Sequence, residues 1–292
     1  MTAPTSRPIV VGVDGSAESL DAVRWAARTA RRRDATLEIV YAIDFSALLA
    51  GGVVPPPEEM KDVLREHGGR SLRTAAELAA AQGVPGATTR LDPDRAAQAL
   101  VDASKTAALL VVGSSGKGRL TGLLAGSVAS AVSAHASCDT VIVRGDAWDK
   151  AEAAGRPVLA GIDGGEASSR ILAVALDEAK SRQVPLVVVH AWADDPPPHE
   201  PGHPEHPESV TDAGHRLLTD RLGGHDIGDV EVDRVVVRAH PRRELIERSG
   251  AAQLVVLGNR GRGGFPGLLL GSTGQALLHS AACPVYLVRT AS

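Results

Sequence analysis

Aromatic residues are scarce in this chain of 292 residues, which has 3 Trp, 2 Tyr and 2 Phe. So few rings argue against a stacking platform for single-stranded nucleic acid. Cysteine is equally rare, at 2 residues, so a disulfide framework is not expected and a reducing cytoplasm is. No charge sign dominates. The 31 Lys and Arg against 35 Asp and Glu leave a net charge of −4, which argues against a general DNA or RNA surface. Apolar runs such as Leu109–Val112, Leu186–Val189 and Leu254–Leu257 are short. None approaches the roughly 18 residues that cross a bilayer, so no membrane insertion is expected. The residues before Pro8 lack the apolar core of a secretory signal.

What the chain does have is a globular apolar content of 43%, 31 Gly and an internal repeat. Ile9-Val10-Val11-Gly12-Val13-Asp14-Gly15-Ser16 recurs as Val158-Leu159-Ala160-Gly161-Ile162-Asp163-Gly164-Gly165, with the aspartates 149 residues apart. Leu110-Val111-Val112-Gly113 recurs as Val255-Val256-Leu257-Gly258, with the glycines 145 residues apart. Gly126-Ser127 and Gly271-Ser272 keep that separation, as do Cys138 and Cys283. These landmarks, in one order, predict two homologous domains at 1–146 and 157–292, joined by a linker at 147–156.

Each half alternates apolar Val/Ile-rich strands with helical segments. In the first half strands are expected at 8–14, 37–43, 87–91, 108–112 and 140–144, with helices over about 58–82 and 93–105. The second half repeats the plan, with strands near 157–163, 185–191, 231–238, 252–257 and 285–289. Continuous apolar strands of this kind predict an α/β fold, a doubly wound parallel sheet with helices on both faces. Ligands bind such sheets beyond the strand C-termini, where the strand order reverses. Arg31–Arg33 closes the first helix, where cations suit the helix dipole, so this run reads as a solvated helix end.

The strongest functional signal is Gly113-x-x-Gly116, nine residues, then Gly126-Ser127, repeated as Gly258-x-x-Gly261, nine residues, then Gly271-Ser272. Glycine lets the backbone turn tightly and approach a ligand without a Cβ. Successive N–H groups form anion nests, and helix N-termini favour phosphate. Lys117, Arg119, Arg260 and Arg262 add positive charge in the intervening loops. The pattern is not a P-loop, because Val111 and Gly118 stand where that motif needs a glycine and a Ser or Thr. The first strand lacks the spacing of a dinucleotide fingerprint. Asp14 and Asp163, each followed by Gly15 or Gly164, end a strand. They read as ligand-contacting carboxylates, as turn or capping residues, or as both. A carboxylate there also suits magnesium held through water.

The segments VVGVDGS, VVGSSGKGRLTGLLAGSVASAV and HASCDTVIVR resemble a universal stress protein domain. VLAGIDGG, VVLGNRGRGGFPGLLLGSTGQAL and HSAACPVYLVR resemble a second one. The resemblance spans essentially the whole chain. It implies a tandem protein whose domains each have strand order 3-2-1-4-5, and membership of the family's ATP-binding branch. It further implies that Asp14 and Asp163, beside Gly15 and Gly164, contact the nucleoside, and that Ala42 and Ala191 offer backbone contacts to adenine. Gly113, Gly116, Gly126, Ser127 and Val128 would hold ribose and phosphates in one domain, and Gly258, Gly261, Gly271, Ser272 and Thr273 in the other. Gly165 replaces the usual serine and is expected to weaken a helix cap. Asp139 replaces the proline found at Pro284. Edge strands Val141–Val143 and Tyr286–Val288 are expected to pair, and the chain to form a homodimer.

No base or second acidic motif accompanies the glycine blocks, so no catalytic residue is assigned. An ATP-dependent regulator or sensor in a stress response fits better than fast turnover. Slow hydrolysis or phosphotransfer, and an interaction module without nucleotide, stand as the alternatives. Cys138 and Cys283 read as small packing residues. His199, His203 and His206, in a Pro-rich stretch at 194–209, read as part of a lid or linker and not as a metal site.

Overall fold

A computed structural model describes residues 7–43, 58–116, 125–145, 147–192, 207–261 and 270–290. Two compact units divide between Gly145 and Asp146. In the first, β1 (Ile9–Val13), α1 (Ala17–Arg33), β2 (Leu37–Ala42), α2 (Glu58–Ala81) and β3 (Thr88–Asp92) are followed by α3 (Ala96–Ala103), β4 (Leu109–Gly113), α4 (Ser127–His135) and β5 (Asp139–Val143). The strands pair in parallel in the order β3-β2-β1-β4-β5. The central register sets Ile9 beside both Leu37 and Leu109.

The second unit begins with two short 3-10 turns, Ala147–Asp149 and Ala151–Ala153. It then runs β6 (Val158–Gly161), α5 (Ala167–Arg182), β7 (Leu186–Trp192), α6 (Pro207–Gly223) and β8 (Val232–Arg238). It closes with α7 (Pro241–Ser249), β9 (Leu254–Gly258), α8 (Ser272–Ser280) and β10 (Val285–Val288). Its parallel order is β8-β7-β6-β9-β10, the same topology as the first. Residues 154–156 are tied into this unit, since Gln253 Nε2 donates to the Arg156 carbonyl at 2.7 Å.

The central strands are apolar throughout because helices cover both of their faces. α1 packs with α2, and α3 with α4. Right-handed crossovers require this, because the chain reverses direction across the sheet after β3. Leu109, Leu110 and Val111 are fully buried, as are Leu254, Val255 and Val256. Each such side chain contributes about 1.5–3 kcal/mol of apolar burial.

Two helix starts differ in a way that the sequence foreshadows. Ser16 caps α1, its Oγ accepting from Ser19 N at 3.2 Å. At the start of α5, Glu166 is already helical, with φ −58° and ψ −36°, and no side chain caps it. Arg31, Arg32 and Arg33 do lie in the last turn of α1, where Arg31 and Arg33 are exposed and Arg32 is half-buried. The helix expected at 93–105 is shorter, Ala96–Ala103. Asp92 Oδ1 accepts from Asp94 N at 3.0 Å and holds a turn around Pro93, which delays the helix.

Candidate functional site

β1 and β4 are hydrogen-bonded neighbours, so the two glycine-containing turns at their C-terminal ends face one crevice. β6 and β9 make the same arrangement in the second unit. Each crevice opens into a cavity, of about 390 Å³ in the first unit and about 440 Å³ in the second.

The first cavity is floored by the end of β1 and by Val112 and Gly113 of β4. Val40 and Ala42 of β2 and Leu100 of α3 form its apolar side. Gly116 and the first turn of α4, Gly126 to Val128, form the polar end. In the second cavity the matching positions are Val189, Ala191 and Leu245 on the apolar side, and Gly261 with Gly271 to Thr273 at the polar end. Asp14 and Asp163 reach the two cavities from the strand ends.

Each aspartate is aimed by its own turn. Asp14 Oδ1 accepts from Ser16 N at 2.9 Å and from Ser16 Oγ at 2.6 Å. Asp163 Oδ1 accepts from Gly165 N at 2.8 Å. Gly15 and Gly164 adopt φ +80° and +77°, which L side chains rarely do, and this permits the reversal. Asp14 therefore fills the turn role read for it, one oxygen organising the turn, and the same residue lines the cavity. Its charge is felt on β2, where burial first and Asp14 second push the Tyr41 phenol above its ordinary range.

The glycines of each constellation are not equivalent. A Cβ on Gly113 would lie 2.8 Å from the Glu18 carbonyl oxygen, so the first turn of α1 needs glycine there. A Cβ on Gly258 would lie 2.8 Å from the Arg260 carbonyl oxygen. On Gly116 it would collide with Asp14 Oδ2, and on Gly261 it would lie 3.1 Å from Asp163 Oδ2. Gly126 and Gly271 are unlike these. Their φ values are −64° and −68°, and an added Cβ would meet its nearest neighbours at 3.4 Å and 3.5 Å, ordinary contacts. Neither backbone conformation nor packing demands glycine at these two positions, and both line the cavity.

Gly126 N donates to the Ser114 carbonyl at 2.8 Å, and Gly271 N to the Asn259 carbonyl at 2.8 Å. These bonds fix the turn against the start of α4 or α8. The first intrahelical acceptors are the carbonyls of Gly126 and Gly271, bonded by Ser130 N and Gln275 N. The N–H groups of the intervening first turn have no partner within the helix. They give each cavity a polar, electropositive end opposite its aliphatic side.

Fourteen of the sixteen residues assigned from sequence fall on the two linings. Gly15 and Gly164 do not, because they shape the turns behind the aspartates. Lys117, Arg119 and Arg262, and the stretch at 194–206, lie outside the described residues. Sequence reasoning missed Leu100 and Leu245, which cross over Gly12 and Gly161. A Cβ at these glycines would come within 2.6 Å of Leu100 Cδ1 and 2.7 Å of Leu245 Cδ1. The repeat spacing of 145 residues between the two leucines was the available signal.

Among the described residues, no group of three or more His, Cys, Asp or Glu is placed to hold a metal, and no helix is long and apolar enough to cross a membrane. Burial pushes the Cys283 thiol up to about 12, far from the range of a nucleophile.

The model of the universal stress protein family matches residues 5–144 and again 155–289. A universal stress protein of Mycolicibacterium smegmatis is 40% identical over 98% of this chain and 98% of its own length. One of Mycobacterium tuberculosis H37Rv is 38% identical over 98% of this chain and 97% of its own. The crystal structure of a universal stress protein from Archaeoglobus fulgidus superimposes with a TM-score of 0.74 at 19% identity. It covers 98% of this chain and 99% of its own, a likeness of fold.

Proposed function

The chain belongs to the universal stress protein family, and from that premise we propose that each half binds one molecule of ATP and that the protein is a nucleotide-dependent regulator in a stress response. The observation that carries this reading is glycine at 126 and 271, where neither backbone nor packing requires it. Both glycines border a cavity at a helix N-terminus. Glycine there leaves room for a group that approaches the first-turn N–H donors closely, and phosphate is the group such donors suit.

The rest of each cavity fits the remainder of the nucleotide. A strand-end carboxylate is a natural acceptor for ribose hydroxyls. Val40 and Leu100, or Val189 and Leu245, offer an aliphatic slot for a flat apolar base. Adenine would then be held by side-chain walls and strand-end backbone, without a stacking ring. Magnesium, which favours oxygen ligands, accompanies the phosphates in this reading.

The test is mass spectrometry of small molecules released from freshly purified protein, followed by calorimetry with ATP on the emptied chain. Adenine nucleotide at up to two per chain is expected. Protein that carries no nucleotide and gives no heat with ATP overturns the proposal.

A further inference from the structure

The two cavities share one plan but differ in charge and hydrogen-bonding capacity. Ser115 of the first lining is replaced in the second by Arg260, and Val128 by Thr273. Both exchanges add donors at the polar end of the second cavity.

Arg260 is firmly based. The preceding residue, Asn259, accepts from Thr290 N at 3.0 Å and Thr290 Oγ1 at 2.8 Å through Oδ1, and from Gly271 N through its carbonyl. The Arg260 Cα lies 3.6 Å from the position a Cβ on Gly271 would take, which puts it beside the N-terminus of α8. Its Nε is buried and donates to no acceptor among the described residues. A buried guanidinium N–H without an acceptor is costly, and the planar donor fork matches phosphate oxygens. At the positions equivalent to Arg260 and Thr273, the first cavity is lined by the uncharged Ser115 and Val128.

We infer that the two sites differ in specificity. Arg260, with Thr273, makes the second site selective for the more highly phosphorylated nucleotide, while the first site distinguishes ATP from AMP much less. The inference rests on the reading of both cavities as nucleotide sites and assigns Arg260 as its phosphate-reading residue.

The experiment uses the full chain. Gly126→Glu leaves the second site to be measured alone, and Gly271→Glu leaves the first. Calorimetric titration with ATP, AMP and adenosine at physiological ionic strength gives each site's preference. The ATP-to-AMP affinity ratio should be at least about tenfold larger at the second site, the scale of one charge-assisted hydrogen bond. Arg260→Ala in the Gly126→Glu chain should weaken ATP about tenfold or more and adenosine by less than about twofold, with Arg260→Lys in between. If Gly126→Glu unfolds the chain, native mass spectrometry of Arg260→Ala alone reads the same quantity as the loss of one of two tightly bound ATP molecules.

Equal ATP-to-AMP ratios at the two sites overturn the inference. So does an Arg260→Ala loss that is as large for adenosine as for ATP, since that marks a structural role. Both of these results leave nucleotide binding standing. Absence of adenine-nucleotide binding at both sites overturns the functional reading itself, and this inference with it.

Discussion

Gly116 lies so close to Asp14 that a single methyl group on the glycine would overlap the carboxylate oxygen Oδ2. The other carboxylate oxygen accepts from Ser16 N and Oγ. The aspartate is thus held from two sides, by the turn after β1 and by the turn after β4. Two segments about 100 residues apart meet at one carboxylate because the parallel sheet makes β1 and β4 neighbours. The contact recurs in the second unit with more room, 3.1 Å between the equivalent methyl position on Gly261 and Asp163 Oδ2.

Gly116→Ala should therefore displace Asp14 and weaken ATP at the first site by about tenfold or more, while the second site is unchanged. Gly116 does not have a positive φ, so the backbone accepts alanine. The stability cost should stay within about 1–2 kcal/mol, as for moderate local strain. Gly261→Ala should cost the second site less, because its methyl group fits with a small shift. Calorimetric stoichiometry and affinity for each variant check both halves of the prediction. Equal losses from the two substitutions would mean that the aspartate contact is not what matters.

Gly126→Glu together with Gly271→Glu should abolish ATP binding and leave the fold. The ordinary φ values and Cβ clearances at both positions accommodate a side chain. A carboxylate at each helix start is compatible with the dipole but occupies the space assigned to phosphate. Circular dichroism should match the parent chain, and calorimetry should show no heat with ATP. Full binding by the folded double variant would refute the phosphate assignment.

The repeat, the parallel topology and the glycine constellations were legible because each is written in local pattern: apolar runs, turn residues and fixed spacing. Which side of a turn faces the cavity was not. Gly15 and Gly164 sit next to the aspartates in sequence, yet the turn carries them behind the wall. Leu100 and Leu245 gave no local signal either. They read as ordinary apolar helix positions, and only the crossing of α3 over β1, or of α7 over β6, makes them cavity walls. The missing cap of α5 was legible, because Gly165 lacks the hydroxyl that Ser16 supplies.

Ser16→Ala removes two bonds at once, the cap to Ser19 N and the hydroxyl bond to Asp14. The expected cost is about 1–2 kcal/mol, the upper part of the range for loss of an N-cap. It should appear as a lower urea midpoint with an unchanged slope. ATP affinity at the first site should also fall, because Asp14 loses one of the donors that aim it. Gly165→Ala, where no hydroxyl exists to lose, should show neither effect.

The two cysteines should differ in reactivity. Cys283 is buried, and its thiol is pushed up to about 12, with desolvation the largest cause. Cys138, at the equivalent repeat position, is half-buried. Iodoacetamide at mildly alkaline pH should add one carbamidomethyl group to the native chain, at Cys138, and two after denaturation. Intact mass spectrometry with peptide mapping reads both counts. Rapid labelling of Cys283 in the native chain would contradict the burial that raises its pKa.

Leu100 and Leu245 offer a test of the aliphatic slot that is separate from the phosphate end. Each is almost fully buried, and each presses on a glycine of the first strand in its unit. Truncation to alanine should cost about 2–4 kcal/mol of stability through the space it opens. In the folded variants it should also weaken adenosine and ATP by the same factor, since the base and not the phosphate loses its wall. Leu100→Met and Leu245→Met keep the volume and should restore most of both quantities. Calorimetry with adenosine and ATP on each variant, paired with thermal melts, separates the two effects. A loss confined to ATP would place the leucines at the phosphate end and remove the aliphatic slot as the seat of the base.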